Sequence, residues 1–103
     1  MAKPVQAPNF VLQGGERAAV SGLLDFDTVG ALLPQGSEAI AAGHAGFIDL
    51  AGVTGSDSAG LALLLEWVSV ARAAKQSLRY ENMPAQLQQL ARLSEVEELL
   101  LWD

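Results

Sequence analysis

A chain of 103 residues is long enough for one hydrophobic core and too short for two domains of ordinary size. Twelve acidic residues against six basic ones give a net charge of -6, which would repel nucleic-acid phosphates and anionic lipid headgroups. The chain has no cysteine and a single histidine, so disulfides, cysteine nucleophiles and thiolate zinc sites are excluded.

The composition also argues against a membrane-spanning segment. The longest apolar run, residues 61–65, is far shorter than the roughly 20 residues that span a bilayer. The N-terminus has one lysine but no apolar signal region. We therefore expect a cytoplasmic protein that neither binds nucleic acid nor inserts into a membrane.

The first predicted elements are a loose lead-in and a β-hairpin. Residues 1–8 carry two prolines and no periodicity, and residues 9–103 are expected to form a single domain. Residues 10–13 and 16–23 fit two strands joined by Gly14-Gly15, because consecutive glycines supply the positive φ angles of a tight two-residue turn. The side chains expected to face the core are those of Val11, Ala19 and Val20.

A helix is predicted after the hairpin. Asp25 and Asp27 precede its first part, residues 28–33, where acidic side chains can satisfy free N–H groups and complement the helix dipole. Pro34 is expected to kink or interrupt the helix, with a second part at residues 35–42.

Residues 46–65 are the stretch around which the chain is organised. They read as a buried strand, a loop of small residues and the start of a helix that continues to about residue 75. Either Asp57 or Ser58 can cap this helix. Gly60 is expected to allow a neighbouring segment to approach closely.

The long helix has apolar residues on two faces. Leu61, Leu64 and Val68 have the spacing that packs on a sheet. Leu63 and Trp67 belong to a second stripe, which is either buried under the C-terminal helices or exposed as a patch of the kind that marks partner sites. Trp is also enriched at binding hot spots.

The remaining elements complete the predicted fold. A short strand at residues 77–81 is followed by a helix beginning near Pro84, with Leu87, Leu90 and Ala91 inward. Ser94 has the spacing of a capping box, which predicts a last short helix carrying Val96, Leu99 and Leu100. This order predicts an α/β sandwich with a four-stranded mixed sheet, an N-terminal hairpin and helices mainly on one face.

The loop at residues 54–60 shows no sign of catalysis. It lacks the G-x-x-x-x-G-K-[ST] pattern of a phosphate-binding loop. A hydrolase would need Ser58 to meet His44 and an aspartate, and no G-x-S-x-G elbow presents the hydroxyl. We therefore predict no catalytic residue, no cofactor, no metal and no small-molecule substrate.

Ser58 has two interpretations. A hydroxyl at a helix N-terminus is suited to carry a phosphate, although Asp57 beside it would oppose one already in place. The alternative is a serine that only holds the start of the helix.

Several segments together resemble a STAS domain over nearly the whole chain. The most specific is the D-S-x-G-L loop after the strand Ile48-Asp49-Leu50, continued as G-L-A-L-L-L-E-W. The others are Val20-Ser21-Gly22-Leu23, Asp27-Thr28-Val29 and the segment NMPAQL at residues 82–87.

The resemblance implies a mixed sheet flanked by helices and a function in binding other proteins. In the anti-sigma-factor antagonist branch, the serine that matches Ser58 is phosphorylated by a partner kinase. In the branch that serves the bacterial Mla phospholipid-transport ABC system, the matching hydroxyl residue lies in the surface that contacts the ABC ATPase subunit. The sequence is closer to that second branch.

We therefore expect a non-catalytic regulatory subunit that binds an ABC transporter ATPase and is held at the inner membrane by that partner. The alternative is an anti-sigma-factor antagonist switched by phosphorylation of Ser58. The residues expected to bind the partner are Asp57, Ser58, Ala59, Gly60, Leu61, Leu63 and Trp67.

Overall fold

The computed structural model describes residues 8–100 and residue 102. The predicted lead-in, residues 1–8, lies outside the described residues apart from Pro8. The helices and strands are β1 (Asn9–Gly14), β2 (Arg17–Leu24), α1 (Val29–Ala41), β3 (Phe47–Ser56), α2 (Ser58–Ala73), β4 (Arg79–Glu81) and α3 (Ala85–Leu93), followed by one 3-10 turn (Glu97–Leu99).

The strands form one mixed sheet in the order β1-β2-β3-β4. β1 and β2 are antiparallel, whereas β2, β3 and β4 run parallel. Ala18, Val20 and Leu24 of β2 are fully buried, and the residues that alternate with them are half-buried or exposed. The helices therefore cover one face of the sheet, as predicted for this α/β sandwich.

The hairpin turn lies one residue later than predicted. Gly14 pairs with Arg17, so the two turn residues are Gly15 and Glu16, both with positive φ. The inward position of Val11 was also predicted wrongly, because its side chain is 45% exposed. β1 is an edge strand, and Val11 pairs with Ala19 on the face that none of the described helices covers, so the predicted inward position of Ala19 is wrong as well.

Pro34 was predicted to kink or interrupt the first helix, and the interruption is wrong, because α1 runs without a break from Val29 to Ala41. A proline in the second turn removes one backbone hydrogen bond. The helix gains more than that from packing, since it buries Leu32, Ala39 and Ile40.

The acidic residues before α1 do not cap it as predicted. The Asp25 carboxylate accepts a hydrogen bond from the Asp27 N–H at 2.9 Å, and the Asp25 carbonyl accepts from the N–H groups of Thr28 and Val29, each at 3.1 Å. The aspartate groups therefore form their hydrogen bonds mainly within the loop. Phe26, the residue between the two aspartates, is 82% exposed.

Trp67 is fully buried, so the second apolar stripe of α2 is internal at this residue and is not an exposed patch. It is covered by α1 and β1 rather than by the C-terminal helices. Its indole N–H donates to the Leu33 carbonyl at 3.2 Å, and the Phe10 ring meets it edge-on at 5.8 Å. A Cβ on Gly36 would lie 2.3 Å from the indole, so only glycine lets α1 approach α2 this closely.

Tyr80 ties β4 to α2. Its hydroxyl donates to the Leu64 carbonyl at 2.8 Å, and complete burial raises the pKa of Tyr80 well above its usual value. Leu87 and Ala91 of α3 are buried as predicted, and Leu90 is partly buried against the core.

The predicted last helix is a single 3-10 turn, because Ser94 ends α3 instead of starting a new helix. Its Leu99 is 43% exposed, whereas Leu100 is buried. No helix in residues 8–100 is long and apolar enough to cross a membrane.

The uncovered face of the sheet carries a small polar cluster. Arg17 forms an ion pair with Glu81 and lies over the ring of Phe47. Beside them, the Asn82 amide and the Ala51 N–H donate to Asp49, which lowers the pKa of that carboxyl below its usual value. The polar groups of this cluster therefore form their ion pair and hydrogen bonds with one another.

Candidate partner-binding site

The starts of α1 and α2 lie at the same edge of the sheet. β2 and β3 are parallel, and their last residues, Leu24 and Ser56, pair with each other. The chain leaves β2 to enter α1 and leaves β3 to enter α2. The fold thereby brings residues 25–33 beside residues 57–66, which are about thirty positions apart in the sequence.

Asp57, rather than Ser58, caps α2. Its backbone is extended, and its carboxylate accepts a hydrogen bond from the Ala59 N–H at 2.8 Å. Ser58 is the first helical residue, and its side chain is exposed. Within the described residues the Ser58 hydroxyl forms no hydrogen bond, so it is available to a partner or to modification.

Three contacts fix the position of this helix start. The N–H of the buried Ser56 donates to the Gln86 side-chain oxygen of α3 at 3.0 Å. The Ser56 hydroxyl donates to the Asp57 carbonyl at 3.1 Å, and the Asp57 N–H donates to the Leu24 carbonyl at 3.1 Å. Asp57 is therefore held by β2 directly and by α3 through Ser56.

Gly60 lies against the ends of β2 and β3, which confirms the prediction that a neighbouring segment approaches it closely. A Cβ at this position would lie 2.0 Å from the Ser56 hydroxyl oxygen and 3.1 Å from the Leu24 carbonyl oxygen. The absence of a side chain lets the first turn of α2 rest on the ends of β2 and β3.

A groove of about 570 Å³ opens between the starts of α1 and α2. The exposed Phe26 forms one rim, and Ser58 and Glu66 supply polar groups. The residues that line it are Phe26, Val29, Gly30, Leu33, Ser58, Ala59, Ala62, Leu63 and Glu66. We call this surface the α1–α2 groove.

The predicted site residues occupy different depths. Asp57 and Ser58 are exposed, Ala59 is half-buried, and Leu63 is 3% exposed where it meets the groove. The three that lie beneath the surface are Gly60, Leu61 and Trp67. These three support the groove and do not line it.

Sequence reasoning missed the contribution of α1 and the loop before it. Phe26, Val29 and Leu33 line the groove but were not among the predicted site residues. One signal was present in the sequence, because Phe26 is a large apolar side chain between two aspartates, where a turn would expose it.

The groove lies in the most acidic part of the chain. Residues 18–71 contain six acidic residues and no lysine or arginine, whereas the rest of the chain has six of each sign. Four of the six acidic residues lie on the groove or next to residues that line it: Asp25, Asp27, Asp57 and Glu66. The field at this surface is therefore negative.

The geometry brings together no catalytic serine and histidine. His44 comes before β3 begins and Ser58 follows where β3 ends, so the ten residues of that strand separate them. Among residues 8–100 and 102, no three His, Asp or Glu side chains are grouped to hold a metal ion.

Comparison with known proteins gives one family match. The sequence model of the family described as "Mlab, STAS domain" matches residues 13–101. A search of curated proteins by sequence finds no match.

Among the solved structures that match this chain, three are similar over most of their length. The anti-sigma factor antagonist SpoIIAA in its unphosphorylated form is 18% identical with a TM-score of 0.68, covering 94% of this chain and 87% of its own. The Bacillus cell fate determinant SpoIIAA in the phosphorylated form is 19% identical with a TM-score of 0.68, covering 94% and 91%. A candidate anti-sigma factor antagonist from Thermotoga maritima is 10% identical with a TM-score of 0.74, covering 93% and 86%. At these identities the likeness is one of fold.

Proposed function

We propose that this chain, which belongs to the MlaB-type STAS domain family, is a non-catalytic subunit that binds and regulates the ATPase of a phospholipid-transporting ABC system. STAS domains mediate protein–protein interactions, and the α1–α2 groove with the exposed Ser58 is the observation that carries the proposal. The ATPase would supply the energy of transport. It would also hold this subunit at the inner face of the membrane.

The groove has the anatomy of a docking site. Its floor is apolar, through Val29, Leu33 and Leu63, while Ser58 and Glu66 supply a polar edge. Phe26 is 82% exposed and can insert into a pocket of the partner. In this proposal Trp67 acts from beneath, by holding α1 against α2, and makes no direct contact.

The charge of the groove specifies the partner's surface. Asp25, Asp27, Asp57 and Glu66 would meet lysine or arginine side chains of the ATPase. A second copy of this chain could not offer such a surface with residues 18–71, which have no basic side chain. We therefore expect the ATPase to present apolar side chains surrounded by basic ones.

Regulation would follow from unequal binding to the conformations of the ATPase. A subunit that binds one conformation more tightly shifts the population towards it. In this proposal the rigid start of α2, which Asp57, Ser56 and Gln86 hold in place, is the part that distinguishes those conformations.

The direct test is Ser58→Glu. It adds three heavy atoms where we propose a packed contact, and this steric clash should outweigh the attraction of the added carboxylate to the basic residues of the ATPase, so binding should weaken about tenfold or more in a calorimetric titration. An acidic residue in the first turn favours the helix, so weaker binding would not reflect unfolding.

Ser77→Glu is the matched control, because Ser77 is also exposed but lies before β4, remote from the groove. Its affinity for the ATPase should equal that of the unmodified chain. Equal affinity for Ser58→Glu and the unmodified chain would disprove the proposed contact.

A second candidate function is an anti-sigma-factor antagonist switched by phosphorylation of Ser58. The exposed Ser58 hydroxyl, which has no hydrogen bond within the described residues, favours it, and one similar structure is of a phosphorylated protein. The carboxylate of Asp57 next to it would oppose a phosphate. Mass spectrometry of the protein from its own cells separates the two, since stoichiometric phosphate on Ser58 indicates the switch and its persistent absence indicates the constitutive subunit.

A further inference from the structure

The outer edge of β1 is open within the described part of the chain. β1 pairs with β2 on one side, and no described residue pairs with its other side. An edge strand leaves a row of N–H and C=O groups that can form hydrogen bonds with an added strand. Proteins commonly protect such an edge with charged residues or proline, and β1, with the sequence NFVLQG, contains neither.

A second groove runs beside this edge, between β1 and α1. Its volume is about 450 Å³, within the range of ligand-binding pockets. Phe10 and Leu12 lie two residues apart and so share one face of β1, and Leu12 is 50% exposed. The residues that line the groove are Phe10, Leu12, Gln35, Glu38, Ala39, Ala42 and His44. We call it the β1–α1 groove.

We infer that β1 and the β1–α1 groove form a second docking site, which binds an extended segment of a partner protein. The segment adds to the sheet as a strand beside β1, through backbone hydrogen bonds. Every second side chain of that strand then faces the helix layer, where apolar side chains fill the space over Leu12 and Ala42. The edge supplies binding energy and the groove supplies selectivity.

The segment carries a basic side chain. Glu38 is exposed at the groove and forms no ion pair with any described residue. No lysine or arginine lines this groove, so Glu38 has no basic neighbour among its lining residues. A lysine or arginine facing the helix layer would pair with Glu38.

A second copy of this chain fits the site less well. Its own β1 offers only uncharged side chains, and its α1 would bring another Glu38 towards the first. Each copy also carries a net charge of -6. Like charges across a contact oppose association.

The site is separate from the α1–α2 groove. The two grooves share no lining residue, and they lie near opposite ends of α1. A partner segment at β1 could therefore bind while the ATPase occupies the other surface.

The test uses the synthetic peptide Thr-Val-Thr-Val-Thr-Lys-Thr with blocked ends, which places both valines and the lysine on one face of a strand. Its reverse sequence allows for the opposite strand direction. Titration into the full chain should shift the amide NMR signals of residues 9–14 and 35–42 and slow hydrogen exchange along β1. Glu38→Lys should weaken binding about fivefold or more, whereas Asp27→Lys, a matched reversal at the other groove, should not.

Three results would overturn the inference. One is that neither peptide shifts the amide signals at concentrations up to about 1 mM. A strand added to β1 with its side chains in the groove should bind with a Kd below that concentration. Another is equal binding of the scrambled peptide Thr-Thr-Val-Val-Lys-Thr-Thr, in which neighbouring valines face opposite sides. The third is concentration-dependent protection of β1 without peptide, which would assign the edge to a second copy.

Discussion

Gly60 lies where the first turn of α2 meets the ends of β2 and β3. The nearest atoms to a Cβ there would be the Ser56 hydroxyl oxygen at 2.0 Å and the Cβ and carbonyl oxygen of Leu24 at 3.1 Å. The hydroxyl could rotate away, but the Leu24 backbone could move only with the sheet. A methyl group at this position would therefore push the start of α2, with Asp57 and Ser58, away from its support.

We predict that Gly60→Ala lowers the free energy of unfolding by about 1–3 kcal/mol, the cost typical of overpacking. Gly30→Ala is the matched control, because nothing lies within 4 Å of a Cβ at that position of α1. It should raise stability by up to about 1 kcal/mol through its effect on the unfolded chain. Urea unfolding measures both, and a similar change for the two variants would contradict the packing explanation.

The sequence allowed the role of Gly60 to be predicted but not that of Trp67. A glycine in the first turn of a predicted helix, between Ala59 and Leu61, already indicates that a neighbouring segment of the chain approaches the helix closely there. The burial of Trp67 depends on Gly36 and Phe10, which belong to elements far away in the chain. Spacing along α2 could not say which element would cover that stripe.

At the scale of elements, α3 is connected to the candidate site by one hydrogen bond. The Gln86 side-chain oxygen accepts from the N–H of Ser56, a residue that is only 6% exposed. Without this acceptor the N–H would lack a partner at a position that water reaches poorly. The segment NMPAQL thereby acts on the loop that precedes Ser58.

We predict that Gln86→Ala lowers stability by about 1 kcal/mol and speeds hydrogen exchange at the Ser56 amide. ATPase binding should weaken several-fold, because the start of α2 loses one of its supports. Gln89→Ala on the same helix is the control, since the Gln89 side chain is exposed and forms no hydrogen bond within the described residues. Gln86→Glu retains an acceptor oxygen and should restore the slow exchange, and failure to do so would count against this role.

The order and type of the elements followed from the sequence, whereas their details depended on tertiary packing. Period-two and helical patterns identified the strands and the three helices. The continuity of α1 through Pro34 was not predictable, because the contacts that compensate for a lost hydrogen bond come from α2. The exposure of Val11 was missed since alternation does not say which face of an edge strand is covered.

At the scale of the whole molecule, the composition gave the net charge but not its location. The entire excess of acidic residues falls in residues 18–71, and the fold gathers most of it around the α1–α2 groove. The parallel pairing of β2 and β3 makes this happen, because it places the loops that hold Asp27 and Asp57 at one edge. No local pattern in the sequence contains that information.

This asymmetry predicts a salt dependence of partner binding. Raising the ionic strength from about 0.05 M to about 0.5 M should slow association with the ATPase roughly tenfold, because steering by a negative surface is screened. The dissociation rate should change less, since buried apolar contacts largely set it. Stopped-flow fluorescence measures both rates.

The double variant Asp27→Asn with Glu66→Gln should flatten this salt dependence, because it removes two charges at the groove while keeping their hydrogen-bonding shape. Glu16→Gln with Glu95→Gln makes the same change in net charge at exposed positions outside residues 18–71. If net charge alone steers the encounter, both pairs will flatten the salt dependence equally. If the local field of the α1–α2 groove steers it, as we predict, only the first pair will.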